Sequence, residues 1–503
     1  MRWTPLALGL ALLLAGCTTP TTDDDVLDQA QLCPSSPYDQ EGVLLAEPTF
    51  DPISDDKDNA TEFATTNVRT CTLPAIGWTA LRQDGVPHKY LGEMDMRGDL
   101  DLGAVAVVGS GEPGGVYVLD IADRAAPKVL SFIPQPGLHV TDVKISDDGK
   151  ILYTASQALA TAGVADPMAP ASPAGFTAYS LTDPKAPQHL GAVFDTQVGC
   201  HMLEPVQVAA NQDAVFCISQ HVRSYLIQRD GPFILNLGFV EYVPTRGGLP
   251  MPSAVPAVGD PSCDLPEPAT CVAGTLFSSG PHDVTVTHEN GTFGAGSYAV
   301  VSHWDEGLKV LDISQAPLIT EVGAWNGEGA THYDGNVHTA MMFRAAGHRY
   351  IMASPEYTAG TTVPSLWVLD ADDLGNLQLV AEWFHPGLHG SQGLYLTTHQ
   401  WQVAPRGDDV SVEDVRVYLT YNHAGVWVLD FGQILAGDNA QAVLGYNLAR
   451  TPIPDDHVPN AVLNTWDVNV VDGHVYGTDR ATGLWVFGYT GDALGDPALT
   501  GFA

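Results

Sequence analysis

The sequence predicts an all-β protein, a seven-bladed β-propeller of four-stranded antiparallel blades. Three observations predict it. Pro281–Trp325 reads as four short strands in succession, DVTVTH, SYAVVSH, GLKVLDIS and ITEVGAW, each alternating β-branched or aromatic residues and parted by Gly, Asn, Asp or Pro. The third of these strands recurs: GVYVLDIA at Gly115–Ala122, SLWVLDA at Ser365–Ala371, GVWVLDF at Gly425–Phe431 and GLWVFG at Gly483–Gly488, with degraded copies at Phe176–Thr182 and Ser224–Gln228. Seven copies at intervals of roughly 45–65 residues have the spacing of a repeat array whose units are blades. No long helical periodicity follows residue 30.

In chain order, residues 1–17 read as a secretory signal: Arg2, an apolar run Leu6–Leu14, then small residues before Cys17. The run is too short to span a bilayer. Leu14-Ala15-Gly16-Cys17 resembles a bacterial lipobox, which implies cleavage before Cys17, lipidation of its sulfur and, with Thr18 next, an outer-membrane lipoprotein facing the periplasm or exterior. Residues 18–70 form a polar tether and an irregular segment. Residues 75–490 hold the propeller, with a Pro-rich insertion at about 249–280 and a tail at 491–503. The blades begin near Tyr90, His139, His201, His282, His338, His399 and Trp466. Ile76–Arg82 is expected to supply the last blade's fourth strand, because an open edge invites aggregation and little strand follows Gly488.

Beyond Cys17 six cysteines remain, an even number that in an exported chain suggests disulfides. Six allow 15 pairings. Neighbouring positions favour Cys33–Cys71, Cys200–Cys217 and Cys263–Cys271.

The repeated V-[WYK]-V-L-D core, with Pro-containing turns after it at Ile121–Pro127, Leu181–Pro187 and Ile313–Pro317, resembles the LVIVD-repeat propellers, bacterial exported proteins that are often lipoproteins. The resemblance covers roughly residues 75–490. It implies the fold and leaves function open, because propellers host many unrelated roles.

Composition excludes one class of partner. Asp and Glu number 59 against 21 Lys and Arg, a net charge of −38, so no basic face exists to neutralise nucleic-acid phosphates. No Walker-type phosphate loop and no G-x-S-x-G nucleophile elbow is present.

The histidines are placed with the repeat. In a meander blade the start of strand one and the loop after strand two lie at the same end, which here is the top face. His282, His338 and His399 open their blades in one register. His201 and His139 are read as lying three and two residues ahead of it. His221, His303 and His423 follow strand two. Imidazoles converging on the propeller axis make a candidate site for Cu, Zn or Fe. Glu356, Glu204, Asp305 and Glu306 are candidate outer-shell groups or bases. The arrangement is similar to that of selenium-binding-protein, methanethiol-oxidase and carotenoid-oxygenase propellers, in which axial histidines hold a metal, but their further motifs are not evident. Two functions follow. The chain is a monomeric, lipid-anchored module at the cell envelope that binds a protein or glycan on its top face. Alternatively, it is a metal-dependent oxidase or hydrolase with the histidines at its centre.

Overall fold

The computed structural model describes residues between 73 and 489, apart from segments of which the longest are 159–173, 243–280, 385–397 and 448–463. Seven four-stranded antiparallel sheets follow one another along the chain, each ordered from its first strand outward. Their first strands are Leu91–Arg97, Leu138–Ile145, Met202–Ala209, Pro281–His288, Thr339–Ala345, Thr398–Ala404 and Thr465–Val471, and each neighbours the next around the axis. The expected closure is formed. Ala75–Thr79 pairs with Gly483–Gly488 as the fourth strand of blade seven, and it stops three residues short of the predicted Arg82, which instead lies in a separate two-stranded hairpin. Among the described residues the only α-helix is Phe431–Ala436, capped by Asp430.

The recurrent strand is the third of every blade, including both degraded copies, Gly175–Ser180 and Val222–Gln228. In six blades it is buried at every position but its last. A strand packed on both faces by neighbouring blades has no solvated side, which explains the unbroken apolar run. Its terminal Asp turns the chain: Asp120, Asp312 and Asp370 each accept a hydrogen bond from the backbone N–H two residues on, at 2.8–3.0 Å.

The fourth strands dock on the next blade through glycine. A Cβ on Gly323 would stand 2.2 Å from the Leu374 carbonyl oxygen of blade five, and one on Gly77 would stand 2.0 Å from that of Ala125 in blade one. Backbone cannot yield as a side chain does. Gly323→Ala is therefore expected to destabilise the fold by about 1–3 kcal/mol, read as a lowered urea midpoint. An unchanged midpoint would show that this seam is slack.

First strands lock to one another by side chains. Asp467 and Asn469 of blade seven accept from the N–H groups of Met94 and Met96 at 2.7 and 2.9 Å. Asp95 accepts from Ile145 at 2.6 Å, Asp142 from Leu203 at 2.9 Å and Gln402 from Val470 at 2.9 Å. These bonds satisfy the inner backbone edge that every blade would otherwise leave open.

Candidate metal centre

The clamps define a common level around the axis, occupied in blade order by Gly92, Thr141, His201, His282, His338, His399 and Trp466. At that level the first strands of blades one, two, four, six and seven carry a register shift, between Leu91 and Met94, Val140 and Asp142, Pro281 and Asp283, Thr398 and Trp401, and Thr465 and Val468. A bulge turns two successive side chains toward one side, here the axis. His201 therefore stands in register with His282, not three residues ahead of it. His139 lies two residues before Thr141.

The four imidazoles form a chain. Ring centroids are 4.5 Å apart for His201 and His282, 4.1 Å for His282 and His338, and 4.4 Å for His338 and His399. Outer partners fix their orientation. His201 Nδ1 lies 3.1 Å from Gln157 Oε1, His338 Nδ1 is 2.8 Å from Thr339 Oγ1, and His399 Nδ1 donates to the Trp466 carbonyl at 2.8 Å. With Nδ1 carrying the proton, the Nε2 lone pairs face inward. His201 Nε2 and His282 Nε2 are 2.9 Å apart. Glu356 completes the group, 3.5 Å from His338 Nε2 and 3.7 Å from His399 Nε2. Ligand atoms of His282, His338 and Glu356 all fall within 4.8 Å of one another.

Burial holds His201 down to about 4. His282, His338 and His399 lie well below the ordinary imidazole range, through burial first and then through a neighbouring histidine or, for His399, Arg480. All four are neutral near pH 7, the form that binds a metal.

Beside the imidazoles the bulges place a carboxylate layer, Glu93, Asp142, Asp283 and Asp467, each at most 5% exposed. Burial raises Glu93 well above its usual range, with Asp467 next in effect, and pushes Asp467 up to about 7 and Asp283 up to about 6. Glu93 Oε1 lies 3.8 Å from His399 Nδ1. Five buried carboxylates, with Glu356, crowd one end of the axis; such a group is stable only when protonated or matched by cations, and Lys144 is paired with Asp142 among them at 2.9 Å.

The remaining predicted residues fall elsewhere. His303 is buried at the end of strand two, across from Pro281, and His221 precedes the third strand of blade three. Glu306 acts on Tyr242 at the seam between blades three and four, and Glu204 belongs to a deeper cluster around Lys144. His423 and Asp305 lie outside the described residues, as do Cys17, Cys33, Cys71, Cys263 and Cys271. Cys200–Cys217 is formed as expected. The sequence reading missed Glu93, Asp142, Asp283 and Asp467. Their signal was a polar residue recurring one position after the ring level, and it emerges only once the bulges are counted.

The disulfide ties the residue before His201 to strand two of blade three, where the first strand pairs with no bulge at this level. Cys200→Ser/Cys217→Ser is expected to retain the β-sheet circular-dichroism spectrum while weakening metal binding about 10–100-fold, the worth of a group that orients a ligand. Unchanged affinity in a metal titration would free His201 from this constraint.

No protein-family model and no curated protein matches the chain. Solved structures do. It is similar to the β-propeller domain of Myceliophteria thermophila Cps50 (Swd1), at 12% identity, TM-score 0.44, covering 81% of this chain and 97% of that one. It is also similar to Sqt1 from Chaetomium thermophilum, at 12% identity, TM-score 0.43, covering 81% and 85%. At this identity the likeness concerns the fold alone.

Proposed function

We propose that this propeller is a metal-dependent enzyme that binds one copper, zinc or iron ion through His201, His282, His338 and His399, with Glu356 as a further ligand or base. One observation carries the reading: the Nε2 atoms of His201 and His282 lie 2.9 Å apart, and ligand atoms of His338 and Glu356 fall within 4.8 Å of that of His282. Two nitrogens so placed are joined either by a proton on one of them or by a cation bound to both. Two nitrogens bound to one ion at ~2.0–2.1 Å stand about 2.9–3.4 Å apart at the angles such ions adopt, so the separation suits shared ligation. Glu356 supports it, since a buried carboxylate gains from a nearby positive charge and the layer beside it already has Lys144. Imidazole and carboxylate together favour Cu, Zn or Fe over Mg or Ca.

When bound, the ion would supply Lewis acidity or activate a coordinated water or oxygen. The chain's own groups do the rest. Gln157, Thr339 and the Trp466 carbonyl hold the imidazoles, the blades exclude water from three of the four, and Glu356 stands where a proton can be taken up. The experiment is elemental analysis of residues 18–503 purified from an exporting host. About one equivalent of copper, zinc or iron supports the reading, and its absence after supply of all three overturns it.

A second reading is favoured by a different feature. Phe233, Leu235, Leu237 and Phe239 are 48–67% exposed on and beside the fourth strand of blade three, an apolar edge that suits a protein partner. With anchoring through Cys17, this is an interaction module at the cell envelope. A single-component pull-down cannot separate the two readings; metal content can.

A further inference from the structure

The fourth strand of blade three, Leu235–Tyr242, is exposed as no other fourth strand is. Five successive residues, Leu235–Phe239, are exposed, so both faces of the strand meet solvent. The fourth strands of blades one, two, four and five have at most two exposed residues in succession, and those of six and seven have none. The glycines show the same difference. Gly77 and Gly323 press on the next blade's backbone, whereas a Cβ on Gly238 would meet nothing within 4 Å among the described residues. The strand is held only toward its end, where Tyr242 packs with Ala316 and Ile319 and donates to Glu321 of blade four.

Its outer edge is also unguarded. The strand is the last of its sheet. Exposed edges are ordinarily blunted by charge or proline. Lys128 and Pro134 serve in blade one, Glu321 in blade four and Glu382 in blade five. From Leu235 to Val240 blade three has neither, and Leu235, Leu237 and Phe239 are 48–59% exposed. The one charge on the strand, Glu241, is ion-paired with Arg223 at 2.7 Å.

We propose that this strand pairs, edge to edge and antiparallel, with the same strand of a second copy of the chain, joining two blades into one sheet about a twofold axis. The proposal rests on the interaction-module reading and names its partner. A flat partner surface would cover one face of the strand, whereas a paired strand sets side chains beside it on both. A twofold contact buries the same patch on each copy. It buries most when the axis passes near Leu237, the centre of the exposed run. Charge selects a copy over a foreign protein. A chain of net charge −38 repels its copies at most of its surface and attracts basic proteins there. At this strip the net charge is nil, and an identical strip meets it without like charges opposed.

The test is sedimentation velocity on residues 18–503, without lipid, at low and high salt. A dimer is expected whose dissociation constant falls as salt rises, because screening weakens the long-range repulsion between copies. A contact held by basic groups would do the reverse. Leu235→Lys with Leu237→Lys is expected to weaken the dimer by about tenfold or more, since each joint would bury unpaired charge. Thermal melts and metal content of that variant should not change. Leu237→Cys is expected to give a disulfide-linked dimer on oxidation, and Val380→Cys, 47% exposed on the fourth strand of blade five, to give none. A dimer indifferent to the lysines, or linked equally through Val380→Cys, overturns the site. A monomer overturns the second copy. Pull-downs from the exporting host with wild type and the lysine variant then separate the two failures: a protein lost with the lysines leaves the interaction-module reading standing with another partner, and no difference removes that reading too. A dimer that forms only when residues 249–280 are replaced by a short linker makes that segment the occupant and overturns the proposal.

Discussion

Replacing His282 and His338 together by alanine is expected to abolish stoichiometric metal binding while the propeller remains folded. These two imidazoles and Glu356 form the tightest group of ligand atoms among the described residues, all within 4.8 Å. Losing both leaves His201 without the nitrogen it faces at 2.9 Å and Glu356 without its nearer imidazole. The effect should exceed the about 10–100-fold that an outer partner contributes, so Gln157→Leu serves as the graded comparison. Stability should move the other way or little, because a buried, unmetallated histidine cluster costs desolvation without compensation. Elemental analysis of wild type, Gln157→Leu and the double variant would decide it. A double variant that retains a full equivalent sinks the proposed ligand set.

Much of this arrangement was legible in the residues and part was not, for a reason particular elements show. The repeat V-x-V-L-D is a buried third strand closed by a turn-forming Asp, so both its apolar run and its ending are local and readable. Register among His282, His338 and His399 was likewise readable, because each sits at the opening of a blade. His201 was not. Its level is fixed by the clamp from Leu203 N–H to Asp142 of the preceding blade, a contact that no local pattern announces. Glu93 and Asp467 were hidden for another reason, since strict alternation sends adjacent residues to opposite faces and a bulge sends both to the axis. Glu204, by contrast, was correctly placed on a first strand, but at a depth that belongs to Lys144.

That deeper cluster carries the largest stability prediction. Lys144 Nζ lies 2.9 Å from Asp142 Oδ1, whose side chain is fully buried, and Asp95 and Glu204 are its other acidic neighbours. Asp142 and Asp95 also accept the backbone clamps that join blades one, two and three. Lys144→Met fills much of the same volume and removes the charge, so it leaves buried carboxylates without their cation. The expected cost is about 3–5 kcal/mol. Its pH dependence has a definite sign. Burial first pushes Glu204 up to about 8, and Lys144 opposes that rise. The folded protein thus keeps a proton that an unfolded Glu releases near about 4.3, and the stability from this group falls as pH climbs from there toward 8. Lys144 itself is raised well above its usual range, so its charge is constant across that window. Without it Glu204 rises further and the fall with pH steepens. Lys144→Met should therefore cost least near pH 5 and most near pH 8.5, measured as urea midpoints in the presence of a chelator. Adding Glu204→Gln to it should recover part of the loss at pH 8.5 and little at pH 5, a coupling that two independent sites would not show. A cost that is small, or the same at both pH values, would mean that water reaches Lys144 and that the carboxylates beside it need no internal cation.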